Sequence, residues 1–394
     1  MDRRLIFGLC GLLFAGSACG PTERPIKQPA KKSLLNKPAK IVVPVLGVEE
    51  NDRRKKFSKQ VCSSCHVWPE PGVLNRKTWV DVLYLMEPWL GLKPIPKSVP
   101  DELHGLFPTE KLVDAVQWTE LKKYYLTNAP EELQVPHAKF HGDLKLFEVV
   151  DAKAPFSPFC MTVRVEPKTG AIWAGWGVFP GEHGVFRRQA SGVWSEKMDW
   201  GGTPSQFRFT NKGILSVMIG SFSPSDEPEG ELVQTVQNKP VRLMGSLKRP
   251  NDVLIGNFDG KEPADMVLCE FGNLAGGVSF IKDMDQTKRQ PLLDQPGILN
   301  AASADFNGDG HLDFAVVAGQ AREGVYLFLG DGQGKFETRA ILPRHPSWGH
   351  SHLEVADING DGHPDLLITN GDNDDIKGAP FKPYHGIRIH LNDG

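Results

Sequence analysis

Two stretches of the chain decide the fold: ADFNGDGHLDFAVVAG at residues 304–319 and ADINGDGHPDLLITNG at residues 356–371. Both read Asp-x-Asn-x-Asp-Gly-x-x-Asp and then pass into an apolar run rich in strand-forming residues. A weaker third copy, GNFDGKEPADMVLCEFG, occupies residues 256–272. A turn of Asp, Asn and Gly followed by a strand, repeated along a chain, predicts an all-β repeat protein.

The spacing of the copies favours propeller blades. When the first strand residue after each turn is aligned, two upstream segments also fit, and the successive spacings are 43, 51, 48 and 52 residues. The five aligned positions are Ile172, Leu215, Met266, Phe314 and Leu366. A period of roughly 40–50 residues with several short strands per repeat is typical of β-propellers. A β-sandwich is the main alternative.

The Asp-rich turns have the chemistry of calcium sites. Alternating Asp and Asn side chains bring hard oxygen atoms to one point, and Ca²⁺ prefers such ligands. The predicted side-chain ligands are Asp305, Asn307, Asp309 and Asp313 in one loop, and Asp357, Asn359, Asp361 and Asp365 in the other, each with the carbonyl of His311 or His363. In the third copy Lys261 and Glu262 interrupt the ligand run, which makes calcium there less expected. An Asx-rich turn that binds nothing is the alternative.

A different motif, VCSSCHVWPEP, lies at residues 61–71. Cys62, Cys65 and His66 spell C-x-x-C-H, the attachment pattern of a c-type haem. In that pattern two thiols hold the ring, the histidine binds iron, and a methionine as sixth ligand raises the reduction potential. Met86 is the predicted sixth ligand, with His104 as competitor and a core methionine as the alternative. A zinc or thioredoxin-like site is disfavoured, because neither a second C-x-x-C nor a βαβ context is evident.

The residues around this motif have helical patterns. One polar helix is expected to run into the motif, a second to begin after Thr78, and a third to cross residues 109–130 with Leu112 and Val116 starting its apolar face. Pro88 is expected to end or kink the second helix. The predicted fold is therefore multidomain: a small all-α cytochrome c-like haem domain at residues 48–135, then an all-β propeller-like repeat domain at residues 145–394.

The N-terminus has the features of a lipoprotein signal peptide at residues 1–19. Arg3 and Arg4 precede a short apolar run, and small residues lead to Cys19, the predicted lipidation site. Gly16 departs from the usual lipobox pattern, and ordinary cleavage near Ala18 is the alternative. Residues 20–47, rich in Pro and Lys, read as an extended linker. The protein is thus predicted to be exported to the periplasm or cell surface and held by a lipid anchor, at the outer membrane.

Charge and the remaining polar residues narrow the function. The formal net charge of −3 gives no electrostatic case for nucleic acid. Cys160 and Cys269 are predicted to be buried free thiols, although pairing is open in an oxidising compartment. The histidines of HPSWGHSH (345–352), with His385 and His390, are expected in inter-blade loops as polar groups rather than as a transition-metal cluster.

Several long stretches resemble one known family. CSSCHVWPEP, IGSFSPSDEPEGEL, CEFGNLAGG, HSHLEVADINGDGHPDLL and KPYHGIRIHLNDG are similar to bacterial secreted proteins that join a cytochrome c haem motif to FG-GAP (VCBS) repeats. The resemblance covers residues ~50–394 and implies a β-propeller like the head of an integrin α chain. Similar proteins continue past LNDG, so a truncated or open propeller is expected, because roughly five repeats are present and a closed ring often needs about seven.

These observations predict an electron carrier with covalent haem c and Ca²⁺ rather than an enzyme, and no catalytic residues are predicted. The propeller is expected to dock a redox partner protein or to bind a glycan or peptide. One alternative is a quinoprotein-like propeller oxidoreductase that uses the haem as electron exit, although the repeats offer no nucleophile–base pair and no cofactor fingerprint. The other alternative is a non-enzymatic adhesion scaffold.

Overall fold

The structure, a computed structural model, describes residues 47–134, 151–156, 159–179, 182–236, 239–373 and 380–394. Residues 44–394 belong to one compact unit. The predicted signal peptide, the lipidation site Cys19 and nearly all of the predicted linker lie outside the described residues. Within the described ranges, no helix has both the length and the apolar composition needed to cross a membrane.

Three α-helices come first: α1 (Val48–Cys62), α2 (Arg76–Leu85) and α3 (Ala115–Asn128). The predicted start of α2 after Thr78 is wrong, because the Asn75 side chain caps the helix by accepting the Thr78 N–H at 2.9 Å. Helix α2 ends just before Pro88, as predicted. Helix α3 begins later than predicted, at a capping box in which Asp114 and Gln117 each bond the other's backbone N–H.

The helices pack around an aromatic core. Its buried members include Trp79 and Leu83 of α2 and Leu121 and Tyr125 of α3. The predicted apolar face of α3 is wrong at its start, since Val116 is 73% exposed. Because the capping box starts α3 at Ala115, the buried stripe begins at Trp118 instead. Full burial of side chains of this size stabilises by about 1.5–3 kcal/mol each.

The described strands form five antiparallel sheets, each made of strands adjacent in sequence. The first contains β1 (Cys160–Val165), β2 (Ile172–Phe179) and β3 (Glu182–Arg188), and the second β4 (Pro204–Thr210), β5 (Gly213–Met218), β6 (Gly230–Val236) and β7 (Lys239–Leu247). The third contains β8 (Pro250–Gly256), β9 (Asp265–Glu270), β10 (Gly277–Ile281) and β11 (Arg289–Asp294). The fourth contains β12 (Ile298–Ala304), β13 (Asp313–Ala318), β14 (Gly324–Gly330) and β15 (Phe336–Ala340), and the fifth β16 (His350–Ala356), β17 (Asp365–Asn370) and β18 (Gly386–His390).

The five sheets are the blades of a β-propeller. The first strands of successive blades, β1, β4, β8, β12 and β16, contact one another in that order. Side chains from all five line one polar cavity of about 230 Å³, among them Arg164, Arg208, Leu254, Ser303 and Glu354. Sheets arranged radially around such a channel define this fold. The repeat prediction is confirmed, because all five aligned positions fall in the second strand of a blade.

Hydrogen-bonding side chains join the first strands of neighbouring blades. The Asn300 amide spans two blades, donating to the Leu353 carbonyl at 2.7 Å and accepting the Leu353 N–H at 3.0 Å. Arg208 of β4 contacts both carboxylate oxygens of buried Asp252 in β8, at 2.7 and 2.9 Å. Such bonds fix the register of blades whose apolar cores alone would tolerate sliding.

Candidate functional site

The three Asp-containing loops occupy equivalent places in successive blades. Residues 305–312 join β12 to β13, residues 357–364 join β16 to β17, and residues 257–264 join β8 to β9. Each loop is thus the turn between the first and second strand of its blade. In an antiparallel propeller these turns all lie at the same end of the molecule.

The loop of the fourth blade is ordered by its own carboxylates. Asp305 accepts backbone N–H groups from Gly308, Asp309 and Gly310 at 2.8–3.2 Å. Gly308 and Gly310 have φ of 72° and 83°, a region that glycine adopts without strain. Asn307 bonds Asp309 in the same turn. The loop is therefore shaped by hydrogen bonds from its own backbone N–H groups and from the Asn307 amide to its own side-chain oxygen atoms.

Asp313, the last residue of the motif, has a second role. Its buried carboxylate accepts the Phe306 N–H at 2.9 Å and the Gly330 N–H at 2.7 Å. Burial raises the pKa of the Asp313 carboxyl, and the charges of Asp309 and Asp305 raise it further. The residue thus ties the loop to the end of the third strand of its blade while adding negative charge beside the exposed Asp309.

The loop of the fifth blade repeats this geometry residue for residue. Asp357 accepts N–H groups from Gly360, Asp361 and Gly362, and Asn359 bonds Asp361. Buried Asp365 accepts the Ile358 N–H and the Asn392 N–H, both at 2.9 Å. Two loops with one bonding pattern indicate one shared purpose for the predicted ligands.

The loop of the third blade differs. Among the described residues, three carboxylates approach within 4.8 Å of one another in one group only, Asp259, Asp265 and Asp283. Asp283 follows β10 and was not part of the sequence motif. The carboxylates of the two Asp-rich loops form no such group, and each of these loops also offers the side-chain oxygen of an Asn.

The C-x-x-C-H motif lies where α1 ends. Helix α1 stops at Cys62, and both Cys62 and Cys65 are free thiols, half-buried and exposed respectively. The Nδ1 atom of His66 lies 2.9 Å from the carbonyl oxygen of Val67. A carbonyl oxygen only accepts, so Nδ1 donates and Nε2 carries the lone pair that a metal ligand requires. Burial lowers the pKa of His66, which keeps the imidazole neutral.

Met86 lies directly after α2, as its C-cap residue, and is half-buried. Both Met86 and Cys62 pack against the aromatic core of the helices, together with Trp68 and Leu90. The competitor His104 is exposed, and its Nε2 lies 3.2 Å from the Val99 carbonyl. Two thiols, an imidazole and a thioether are the donor types of the predicted haem site, and Cys62 and Met86 pack against the same core.

The helical segment contacts the last two blades. Arg322, in the turn between β13 and β14, donates to the Cys65 carbonyl at 3.3 Å. Tyr384, before β18, donates to the Val73 carbonyl at 3.2 Å and lies 3.2 Å from the Ser347 hydroxyl. These turns join second to third strands, so they lie at the opposite end of the propeller from the Asp-rich loops. The two predicted sites are therefore separated by the length of a blade.

A buried polar cluster that the sequence did not reveal supports this contact. Glu323 accepts the Gly349 N–H and lies 3.3 Å from His350, and Lys382 donates to the Ser347 carbonyl at 2.6 Å. Burial raises the pKa of Glu323 to about 9 and lowers that of His350 to about 4. The expectation that these histidines lie in loops is wrong for three of them, because His350 and His352 belong to β16 and His390 ends β18.

Within the described part of the chain, both cysteines outside the motif, Cys160 and Cys269, are free thiols. Cys269 is buried in β9, as predicted, and burial raises the pKa of its thiol. The prediction of a buried thiol is wrong for Cys160, which starts β1 and is exposed. Its position at the first strand residue explains the exposure, because the strand begins before the blade core does.

Comparison with known proteins gives a partial match. No curated protein matches the chain significantly. Among solved structures, a puromycin hydrolase mutant is 15% identical with a TM-score of 0.35, covering 55% of this chain and 36% of that one. A gluconolactonase-like protein is 14% identical with a TM-score of 0.34, and the match covers 57% of this chain and 71% of that one. Regucalcin of Agrobacterium tumefaciens, described as a calcium-binding protein, is 15% identical with a TM-score of 0.34. The match covers 59% of this chain and 89% of that one.

The family comparison is more local. Residues 295–368 match the model of the FG-GAP-like repeat. This region runs from just before β12 into β17, so it contains the whole fourth blade and both Asp-rich loops.

Proposed function

We propose that this protein is an exported c-type cytochrome that transfers electrons, fused to a propeller stabilised by calcium. The observation that carries the haem part is the C-x-x-C-H turn itself: two free thiols at the end of α1 and a half-buried His66 whose Nε2 is left for a metal. When bound, a c-type haem supplies reversible one-electron transfer.

The chain's own residues would each have a defined task. Cys62 and Cys65 would hold the ring through thioether bonds, and His66 and Met86 would hold its iron. With the iron held by two protein side chains, the group would exchange electrons rather than bind a substrate. The aromatic core around Trp79 and Tyr125 would keep water from the ring. None of these tasks needs a catalytic acid or base, which agrees with an electron carrier.

The calcium part of the proposal rests on the two equivalent loops. Asp305 and Asp357 each hold three backbone N–H groups, so the loop is shaped before a cation arrives. Hard oxygen atoms on a preshaped turn suit Ca²⁺ more than Mg²⁺, which demands strict octahedral geometry. Because the loops lie at the far end from the haem motif, calcium would be structural rather than redox-active.

Partners and location complete the proposal. A signal peptide with lipidation at Cys19 would anchor the protein to the outer membrane, facing the periplasm or the cell surface. A redox partner protein would dock beside the haem motif, where the last two blades adjoin the helices. The propeller would supply that docking surface or bind a glycan or peptide.

The haem proposal is tested by maturing the protein in a bacterial host with a cytochrome c assembly system. We expect sharp reduced bands in the optical spectrum and haem that survives acid-acetone extraction. The Cys62→Ala/Cys65→Ala variant should lose the haem, whereas Cys160→Ala, which removes a thiol outside the motif, should keep it. A wild-type protein without covalent haem would overturn the proposal.

A further inference from the structure

The loop of the third blade shares its anchoring with the two Asp-rich loops. Asp265 accepts the Phe258 N–H at 3.2 Å and the Asp283 N–H at 2.8 Å. The equivalent bonds in the fourth blade join Asp313 to Phe306 and Gly330. The closing aspartate of the third loop is therefore anchored in the same way, although Asn257 replaces Asp305 and Glu262 replaces Gly310 in that loop.

The changed positions bring a positive charge into the loop. Lys261 replaces the carboxylate that Asp309 and Asp361 supply in the other loops. More directly, Lys282 follows β10, and its Nζ atom lies 2.6 Å from the Oδ2 atom of Asp259. The Asp259 side chain is only 1% exposed. A carboxylate this buried is stabilised by a cation partner, since an unpaired buried charge is strongly destabilising.

We propose that the Lys282 ammonium group is the resident cation of the third loop, in place of a metal ion. It occupies the side of the loop on which the carboxylates of Asp259, Asp265 and Asp283 converge. The third blade would thus stay closed without calcium, whereas the fourth and fifth blades would need it. Removing the ammonium group would leave three carboxylates with Lys288, which contacts Asp283, as their remaining cation, and carboxylate oxygens are ligands that Ca²⁺ takes.

The charges around the pair agree with this assignment. The Asp259 carboxylate beside Lys282 raises the pKa of the lysine, and the ammonium group in turn lowers the pKa of Asp259. Burial raises the pKa of Asp265, which is the direction expected of a second acid held close to the first. A compact ammonium ion with three donors suits a site shaped for a small spherical cation.

The experiment is hydrogen exchange by mass spectrometry on the full chain, in calcium and in excess chelator. In the wild type, peptides covering residues 257–265 should exchange within twofold of the same rate in both conditions. In Lys282→Met the same peptides should exchange at least tenfold faster in chelator and recover in calcium. Lys282→Arg, which keeps the charge, should behave as the wild type.

Two outcomes overturn the assignment. One is a wild-type third loop that opens in chelator, which would mean that a metal already sits there. The other is Lys282→Met exchanging as the wild type in both conditions. If Lys282→Met does not fold, Lys282→Met/Asp259→Asn, which removes both charges, should fold and ignore calcium. Failure of the fourth and fifth loops to respond to calcium would refute the proposed calcium role but leave this test of Lys282 intact.

Discussion

Replacing Asp313 with alanine separates the anchoring of a loop from its capacity to bind a cation. The Asp313 carboxylate is fully buried and accepts two backbone N–H groups, those of Phe306 and Gly330. Each buried N–H left without an acceptor costs about 1–3 kcal/mol, so we expect Asp313→Ala to lower the free energy of unfolding by about 2–6 kcal/mol. This loss should persist in chelator, because neither bond involves a metal.

The matched variant is Asp309→Ala in the same loop. Asp309 is exposed, and its carboxylate accepts the His311 N–H at 2.8 Å at the surface. In chelator we expect this variant to lose less than about 1 kcal/mol, as is usual for exposed positions. When calcium is present, Asp309→Ala should lack the extra stability that calcium gives the wild type.

Urea denaturation followed by tryptophan fluorescence measures both variants, and hydrogen exchange at the Phe306 and Gly330 amides reports the local event. If Asp313→Ala and Asp309→Ala cost the same in chelator, Asp313 has no anchoring role. If calcium leaves the wild-type midpoint unchanged, the loops do not bind it under these conditions. The two failures are distinct, so either part of the reasoning can be refuted alone.

Other consequences follow from contacts within and between the blades. Arg208→Gln should cost about 3–5 kcal/mol in urea denaturation, because it leaves the 1% exposed side chain of Asp252 charged without its partner; a cost under about 1 kcal/mol would mean that the pair does not join the blades. Met86→Ala should keep covalent haem but lose the methionine charge-transfer band, and a retained band would exclude Met86 as ligand. Tyr384→Phe should speed hydrogen exchange in the helical segment about fivefold, the factor for one lost bond of about 1 kcal/mol; an unchanged rate would show that this contact does not hold the segment.

Sequence periodicity predicted the parts of this fold that repeat. The five aligned positions fell in second strands because these are buried apolar segments that follow short polar turns, which are rich in Asp and Gly in the last three blades. The helix running into C-x-x-C-H was also predictable. The start of α2 was not, because Asn75 outcompetes Thr78 as the cap, and both residues favour that position.

Contacts made across long sequence separations could not be predicted. Lys282 reaches Asp259 only because β10 returns to the end of the blade where the loop lies. Glu323 lies between β13 and β14, His350 starts β16, and Lys382 lies between β17 and β18, so no spacing rule joins them. Local patterns determine elements and turns, but charge pairing depends on which strand ends the fold brings together.

The last aspartate of each loop bonds only to backbone groups of its own blade, from the loop's second residue and from the end of the third strand. Each of these blades therefore anchors its own loop through one aspartate, and a gene segment encoding one blade could be duplicated without any change to the loops of its neighbours. Separate anchors allow neighbouring loops to differ in the residues they present. The aspartate that closes the turn is present in all three loops, while Lys261 stands in one loop where the other two have an aspartate.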